Sequence, residues 1–258
     1  MITIGYDPEV FWKERKSNKL ISVIGKLGGS KKDPRKINDR VFVLEDNVAA
    51  EFNGPPAENA DEFVKSISEN IKFLAREAKK HGFELAENIA SGEFEVDQLQ
   101  DPAAFVFGCE PDFNAWTGEI NPPPFSYNPF LRSCGGHVHV GGIEGVDKIS
   151  LVRAMDLYLG VPSALLDKDI GRSYLYGRAG CWRDKPYGIE YRTMSNWWVW
   201  ENKWIEFVFD RTHKAIEFAK KHEIVPKSTH GKRIVDAINS RREVSINVVF
   251  EMFPEVRV

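Results

Sequence analysis

The sequence predicts an α+β fold in a single domain spanning residues 1–258, and three observations carry that prediction. Two long stretches, 59–81 and 197–221, repeat apolar residues at the three- and four-residue spacing of amphipathic helices. Around them lie short runs rich in β-branched and aromatic residues, bounded by Gly, Pro and Asn, that read as strands. No internal repeat or linker divides the chain.

In chain order, residues 2–12 read as a strand and residues 20–24 as another, followed by an exposed loop at Gly28-Gly29-Ser30-Lys31-Lys32-Asp33-Pro34. Gly-Gly-Ser-Lys does not have P-loop spacing, because no second glycine directly precedes a Lys-Ser/Thr pair that opens a helix. The segment therefore reads as a solvated loop in preference to a phosphate cradle, with a mobile lid over a site as the intermediate reading. Residues 41–44 and 48–53 resemble two strands joined at Glu45-Asp46-Asn47. Phe63, Ile67, Ile71, Leu74, Ala75 and Ala78 mark the apolar face of the helix at 59–81, which Gly82 stops.

Strands are expected at 83–90 and 105–116, a loop at Asn121-Pro-Pro-Pro-Phe, a strand of alternating character at 136–142, helices near 147–160 and 162–168, and a strand at 187–194. Trp200, Trp204, Phe207, Val208, Ala215, Phe218 and Ala219 share one face of the helix at 197–221, and a last helix is expected at about 229–241. The Trp-Trp-Val-Trp run reads as core packing and not as a stacking platform.

Composition narrows the function classes. With 258 residues, 42% hydrophobic and 28% charged, the chain is long enough to bury a core without staples. No run approaches the roughly 18 to 20 consecutive apolar residues that a membrane span needs. The N-terminus, Met-Ile-Thr-Ile-Gly-Tyr-Asp-Pro-Glu, lacks the basic-then-apolar pattern of a signal or transit peptide, so the mature chain is expected to start there in the cytoplasm. Thirty-five Lys plus Arg against thirty-eight Asp plus Glu give a net charge of -3, far from the basic excess of a nucleic-acid binder. Cys109, Cys134 and Cys181 form an odd set without Cys-x-x-Cys spacing. They read as reduced thiols, with a nucleophilic role for one of them the lesser alternative.

Five apolar segments each carry two polar residues at i and i+2, positions that share a face on a strand. The pairs are Asp7/Glu9, Glu51/Asn53, Glu110/Asp112, His137/His139 and Glu190/Arg192. A wet sheet face would explain any one pair, but together the positions hold six acids, two histidines, one Asn and one Arg, with no lysine. If the strands are neighbours, two carboxylates about 6 Å apart repel by roughly 3 kcal/mol at an effective dielectric near 20. Bound cations relieve that repulsion, and oxygen-rich ligands with one or two imidazoles suit Mg²⁺ or Mn²⁺ better than zinc. Arg172, Arg178, Arg183 and Arg192 cluster in a glycine-rich stretch that reads as a loop feeding the site, and metals beside arginines imply phosphate chemistry.

In their order, Asp-Pro-Glu, Glu-Asp-Asn-Val-Ala-Ala-Glu-Phe-Asn-Gly-Pro-Pro-Ala, Gly-Cys-Glu-Pro-Asp-Phe-Asn-Ala-Trp-Thr, Gly-Gly-His-Val-His-Val-Gly and Glu-Tyr-Arg resemble the carboxylate-amine ligase superfamily that includes glutamine synthetase and glutamate-cysteine ligase. The resemblance runs from about residue 3 to 196 and is strongest to the phage-encoded carboxylate-amine ligases. It implies an antiparallel sheet curved into a half-barrel with helices on its convex face. The concave face would bind ATP and two or three divalent ions.

By the same resemblance, Asp7, Glu9, Glu51, His137 and Glu190 are metal ligands, with either Glu45 or Asp46 completing the set. His139 lies near ATP. Arg192 binds phosphate, and Arg178 and Arg183 are placed more loosely in the same role. Glu110, Asp112 and Asn53 are candidates for holding the substrate.

The implied reaction is two-step: a carboxylate takes the γ-phosphoryl group of ATP, and an amine then displaces phosphate to form an amide. Free amino acids, peptides and proteins all qualify as substrates, and if the chain is phage-encoded its setting is the host cytoplasm. Glutamine synthetase has a separate N-terminal domain that helps complete the site from a neighbouring subunit, whereas this sequence begins directly at the metal-bearing strand, so intersubunit catalysis is not an expectation that the resemblance brings. Two other functions compete. A metal-dependent phosphodiesterase or hydrolase would need no ATP, and a non-catalytic nucleotide-binding or virion-associated protein would produce no ADP.

Overall fold

The computed structural model describes residues 1–105, 112–123 and 126–258. Glu110, Cys109, part of the strand expected at 105–116 and the end of the loop at 121–125 lie outside the described residues. The described strands are β1 (Thr3–Tyr6), β2 (Glu9–Val10), β3 (Trp12–Glu14), β4 (Leu20–Ile21), β5 (Arg35–Lys36), β6 (Phe42–Asp46), β7 (Ala49–Asn53), β8 (Phe83–Leu85), β9 (Ser91–Glu93), β10 (Phe113–Asn114), β11 (Leu131–Ser133), β12 (Val138–Gly141), β13 (Cys181–Lys185) and β14 (Gly188–Tyr191).

The fold is α+β with antiparallel sheets. Five strands pair in the order β1-β12-β14-β13-β10, four as β2-β7-β6-β5, three as β4-β3-β8 and two as β11-β9; among the described residues none closes into a barrel. The expected single strand at 2–12 is three strands in three sheets. Pro8 has no N–H to donate to a ladder, so the chain leaves the first sheet after Tyr6 and enters the second at Glu9.

The helices are α1 (Ala60–Lys80), α2 (Lys148–Met155), α3 (Val161–Leu166), α4 (Asn202–Ala219), α5 (Thr229–Ser240) and α6 (Glu243–Met252). The Asn59 side chain accepts from the Glu62 N–H at the start of α1, Asp61 and Glu62 sit in its first turn, and Lys79 and Lys80 in its last. The buried face of α1 carries Phe63, Ile67, Leu74 and Ala78, as the periodicity predicts, whereas Ile71 is half-buried and Ala75, expected on the same face, is exposed. Phe63 lies parallel to Trp198, with ring centroids 6.0 Å apart, and edge-on to Tyr6 at 5.5 Å.

Two helices expected near 147–160 and 162–168 are one continuous rod, α2 passing through a π-helical turn at Asp156–Gly160 into α3. By length and composition this helix, Lys148–Leu166, could cross a membrane, yet 78% of its apolar window is buried inside the protein, where it serves as a core helix. The segment at 197–221 is not helical throughout: Asn196–Val199 forms a 3-10 turn and α4 begins at Asn202. Trp197 and Trp198 are buried in the core, as expected. No expectation covered α6, a short and largely apolar helix, whereas the strand expected at 83–90 is only the three residues of β8.

Candidate functional site

The five- and four-stranded sheets present their chemistry to one cavity of about 630 Å³. In the larger sheet, Gly5 stands opposite His139, His139 opposite Glu190, and Glu190 opposite Arg183. Residues directly opposite on antiparallel strands share a face, so the ladder register gathers the His139, Glu190 and Arg183 side chains in a row. In the smaller sheet, Glu9 stands opposite Glu51 and Glu51 opposite Leu44, two residues before Asp46.

Two donor sets result. Asp7, His139 and Glu190 offer ligand atoms within 4.8 Å of one another, and so do Glu9, Asp46 and Glu51. In the first, His139 Nε2 and His137 Nδ1 each lie 3.1 Å from Asp7 Oδ1. Burial works to raise the Asp7 carboxyl, but His139 and His137 outweigh it and hold it well below the usual carboxylate range. Burial and the Arg192 charge push His137 down to about 4, so at neutral pH its ring is uncharged. Its Nδ1 lies 3.1 Å from Asp7 and 3.2 Å from Arg192 Nη1, so it either donates to the carboxylate or accepts from the guanidinium. Gly135 sits against this ring, where a Cβ would come within 2.2 Å of His137 Nε2.

The second set is short of positive charge. Glu9 accepts a hydrogen bond from the Gly135 N–H at 2.8 Å, yet burial and the neighbouring Asp46 push its carboxyl up to about 7. Burial, then Asp7, Asp46 and Glu9, raise Glu51 well above the ordinary value. The Lys31 ammonium, 2.8 Å from Asp46 Oδ2, supplies part of the missing charge. Oxygen donors with one imidazole, two of the acids strained towards protonation, match a hard divalent cation, and the residues fit Mg²⁺ or Mn²⁺.

The choice between Glu45 and Asp46 is decided by geometry. Glu45 turns away from the cavity and accepts hydrogen bonds from the backbone N–H groups of Gly25, Lys26, Leu27 and Gly28 at 2.7–3.1 Å, while Asp46 faces Glu9 and Glu51. His139, expected beside the nucleotide, falls within the first donor set.

Cations ring the Glu190 end. Arg192 pairs with Glu190 through Nη1 and with Asp112 through Nε at 2.8 Å, and Arg183 Nε lies 3.2 Å from the same Asp112 oxygen. Lys185 Nζ is 2.8 Å from Glu190 Oε2. Burial and Asp7 would raise Glu190, but Arg192 and the two histidines prevail and its carboxyl falls to about 2.

Arg192 is held from behind as well. Arg172, buried, donates to the Arg192 and Thr193 carbonyls at 3.1 Å each, and the wholly buried Asp156 in the π-helical turn accepts from Tyr191 Oη at 2.7 Å, Thr193 Oγ1 at 3.2 Å and Trp116 Nε1 at 2.6 Å. Single π-helical turns of this kind are frequent at functional sites.

Of the residues expected at the site, Asp7, Glu9, Glu51, Asn53, His137, Arg183, Glu190 and Arg192 line the cavity, and His139 adjoins it through Asp7. Arg178 does not; its side chain is exposed and outside the lining. Asp112, expected to meet a substrate amine, is the counter-ion of Arg192 and Arg183. The arginine-bearing stretch expected to be a loop contains the β13–β14 hairpin.

Sequence reading missed Lys185, although it lies two residues from Arg183 and so on the same face. It also missed Tyr176 and Phe11, which line the cavity. The expected reduced thiols hold where described: Cys134 and Cys181 are unpaired and buried, and burial pushes Cys181 up to about 12, which leaves it inert as a nucleophile.

Residues 125–230 match the family model described as Phage phiEco32-like COOH.NH2 ligase-type 2, which bears out the resemblance read from the motifs. The matched span contains His137, His139, Arg183, Glu190 and Arg192 but not Asp7, Glu9, Asp46 or Glu51. One solved structure, described as "Crystal structure of novel glutamine synthase homolog", aligns with a TM-score of 0.37 at 9% identity over 99% of this chain and 67% of that chain. No curated protein matches the chain.

Proposed function

We propose that this protein is an ATP-dependent, Mg²⁺-requiring ligase that joins a carboxylate to an amine as an amide. The observation that carries the reading is the pairing of two carboxylate-rich donor sets with Arg192, Arg183 and Lys185 around one cavity. The match to a family named for COOH.NH2 ligation supports the same chemistry. The resemblance also reads the five- and four-stranded sheets as parts of one curved half-barrel, with the site on its concave face and helices behind.

Asp7, His139 and Glu190, with His137 beside them, would hold one divalent ion, and Glu9, Asp46 and Glu51 another. Ions held there would shield the triphosphate from an attacking carboxylate and would neutralise charge on the transferring phosphoryl group. Arg192 is fixed by Asp112, Glu190 and the Arg172 grip on its backbone, so its guanidinium presents charge without reorganising when phosphoryl transfer begins. His137, uncharged at neutral pH, is in the protonation state that a ligand nitrogen requires. Asn53, on the cavity wall, would hold the substrate. The unpaired thiols and the charge balance support a cytoplasmic enzyme that acts on small molecules, peptides or proteins and not on nucleic acid.

The test is ADP release from ATP with screened amine and carboxylate pairs, with and without Mg²⁺, for the wild type, Glu190→Gln and His137→Ala. Turnover that needs both substrates and Mg²⁺ and is lost in both folded variants supports the ligase. Full activity in either variant removes the site assignment, and metal-dependent phosphodiester hydrolysis without ATP replaces the ligase with a hydrolase.

A further inference from the structure

The loop between β4 and β5 reaches into the cavity: Lys31 and Lys32 both line it. The base of the loop is fixed. Glu45 holds the N–H groups of residues 25–28, the Glu45 N–H donates back to the Gly29 carbonyl at 3.4 Å, and Gly29, at φ +83°, packs so closely that a Cβ would meet the Val43 carbonyl at 2.5 Å. On the far side, Arg35 donates to the Leu27 carbonyl at 2.8 Å and pairs with Glu77 at 3.3 Å. Between these anchors the tip is a turn closed on itself by reciprocal Ser30–Asp33 backbone hydrogen bonds of 3.0 and 3.1 Å, and it touches the cavity acids through the Lys31–Asp46 pair at 2.8 Å.

Each donor set thus has a lysine ammonium against it, but the two are mounted differently. Lys185, at Glu190, is carried by β13, whose backbone is laddered to β14, and its side chain is largely buried. Lys31 sits on a turn whose anchors lie to either side, and its side chain remains about half exposed (55%), so it can swing away while the base stays in place.

We propose that Lys31 is a tethered counter-cation. It pairs with Asp46 of the Glu9–Asp46–Glu51 set while no divalent ion is bound and is displaced when one enters, which releases the loop tip over the cavity. The proposal rests on the two-cation reading given above. An ammonium on Asp46 and a divalent ion among three carboxylates within 4.8 Å of one another repel at close range, so the exchange is competitive.

The experiment is a Mn²⁺ titration followed by electron paramagnetic resonance on the wild type and Lys31→Met, together with amide hydrogen exchange of residues 28–34 in the wild type with and without Mn²⁺. Removing the competitor should tighten one of the two Mn²⁺ sites at least about threefold, within the range that breaking a partly exposed ion pair covers, and leave the other unchanged. Metal should also speed exchange at the Ser30 and Asp33 amides. Equal or weaker Mn²⁺ binding in Lys31→Met, or exchange unchanged by metal, overturns the proposal alone. No Mn²⁺ binding in either protein overturns the two-cation reading and the proposal with it.

Discussion

Asp156 offers the sharpest quantitative test of how the site is held. It is wholly buried, and burial pushes its carboxyl up from 3.8 to about 6 even against the hydrogen bonds from Trp116, Tyr191 and Thr193. A carboxyl raised in the fold contributes stability that is fully present below its unfolded pKa and is lost as pH rises through the folded value. A rise of this size corresponds to about 3 kcal/mol, of which roughly 2 kcal/mol disappears between pH 4.5 and 7. Urea unfolding of the wild type and Asp156→Asn across that range isolates it, because the other titrating groups are common to both proteins. The variant starts with its own penalty, since an amide cannot accept from every donor that the carboxylate serves. The wild-type advantage over the variant should nevertheless shrink by about 2 kcal/mol from pH 4.5 to 7. A difference that stays flat with pH would refute the account of Asp156 as a strained, buried carboxylate.

Three further outcomes are expected. Phe63→Ala, which empties the space between Trp198 and Tyr6, should cost about 3–5 kcal/mol in urea unfolding; a loss under about 1 kcal/mol would contradict the packing described. Glu51→Gln removes a carboxyl raised by burial and three acids, so the metal-free protein should gain about 1–3 kcal/mol while calorimetric Mn²⁺ affinity falls; a destabilised metal-free variant would show that Glu51 is satisfied as it stands. In Gly135→Ala the new methyl must displace the His137 ring, so the far-ultraviolet spectrum should be kept while Mg²⁺-dependent ADP release is lost, and normal turnover would show that the ring position is unimportant.

The span of the long amphipathic helix α1 was legible because apolar spacing and the Gly82 stop both act locally. The pairs His137/His139 and Glu190/Arg192 were legible as a shared face because the two-residue period of a strand is equally local. What failed depended on register or on distant partners. Asp7 and Glu9 share the cavity although they do not share a strand, since Pro8 separates their ladders. Glu45 and Asp46 are adjacent acids at a hairpin end, and only the docking of residues 25–28 decides which of them faces inward. Lys185 went unseen because β13 lies in a glycine-rich stretch that lacks the apolar alternation of a strand. α6 is only ten residues long, its polar stripe is the sparse set Glu243, Asn247 and Glu251, and its burial against α3 and α5 is a tertiary fact.

The Asp7-Pro8-Glu9 tripeptide sends one acid to each donor set, and the two sets belong to sheets with separate hydrogen-bond ladders. Two residues of extended chain span at most about 7 Å, so covalent geometry caps the backbone separation of the two acids whatever the sheets do. The tripeptide is in effect a ruler. A substitution that shifts either sheet changes the angle between the clusters more readily than their spacing, and an insertion between Asp7 and Glu9 should uncouple them without unfolding either sheet.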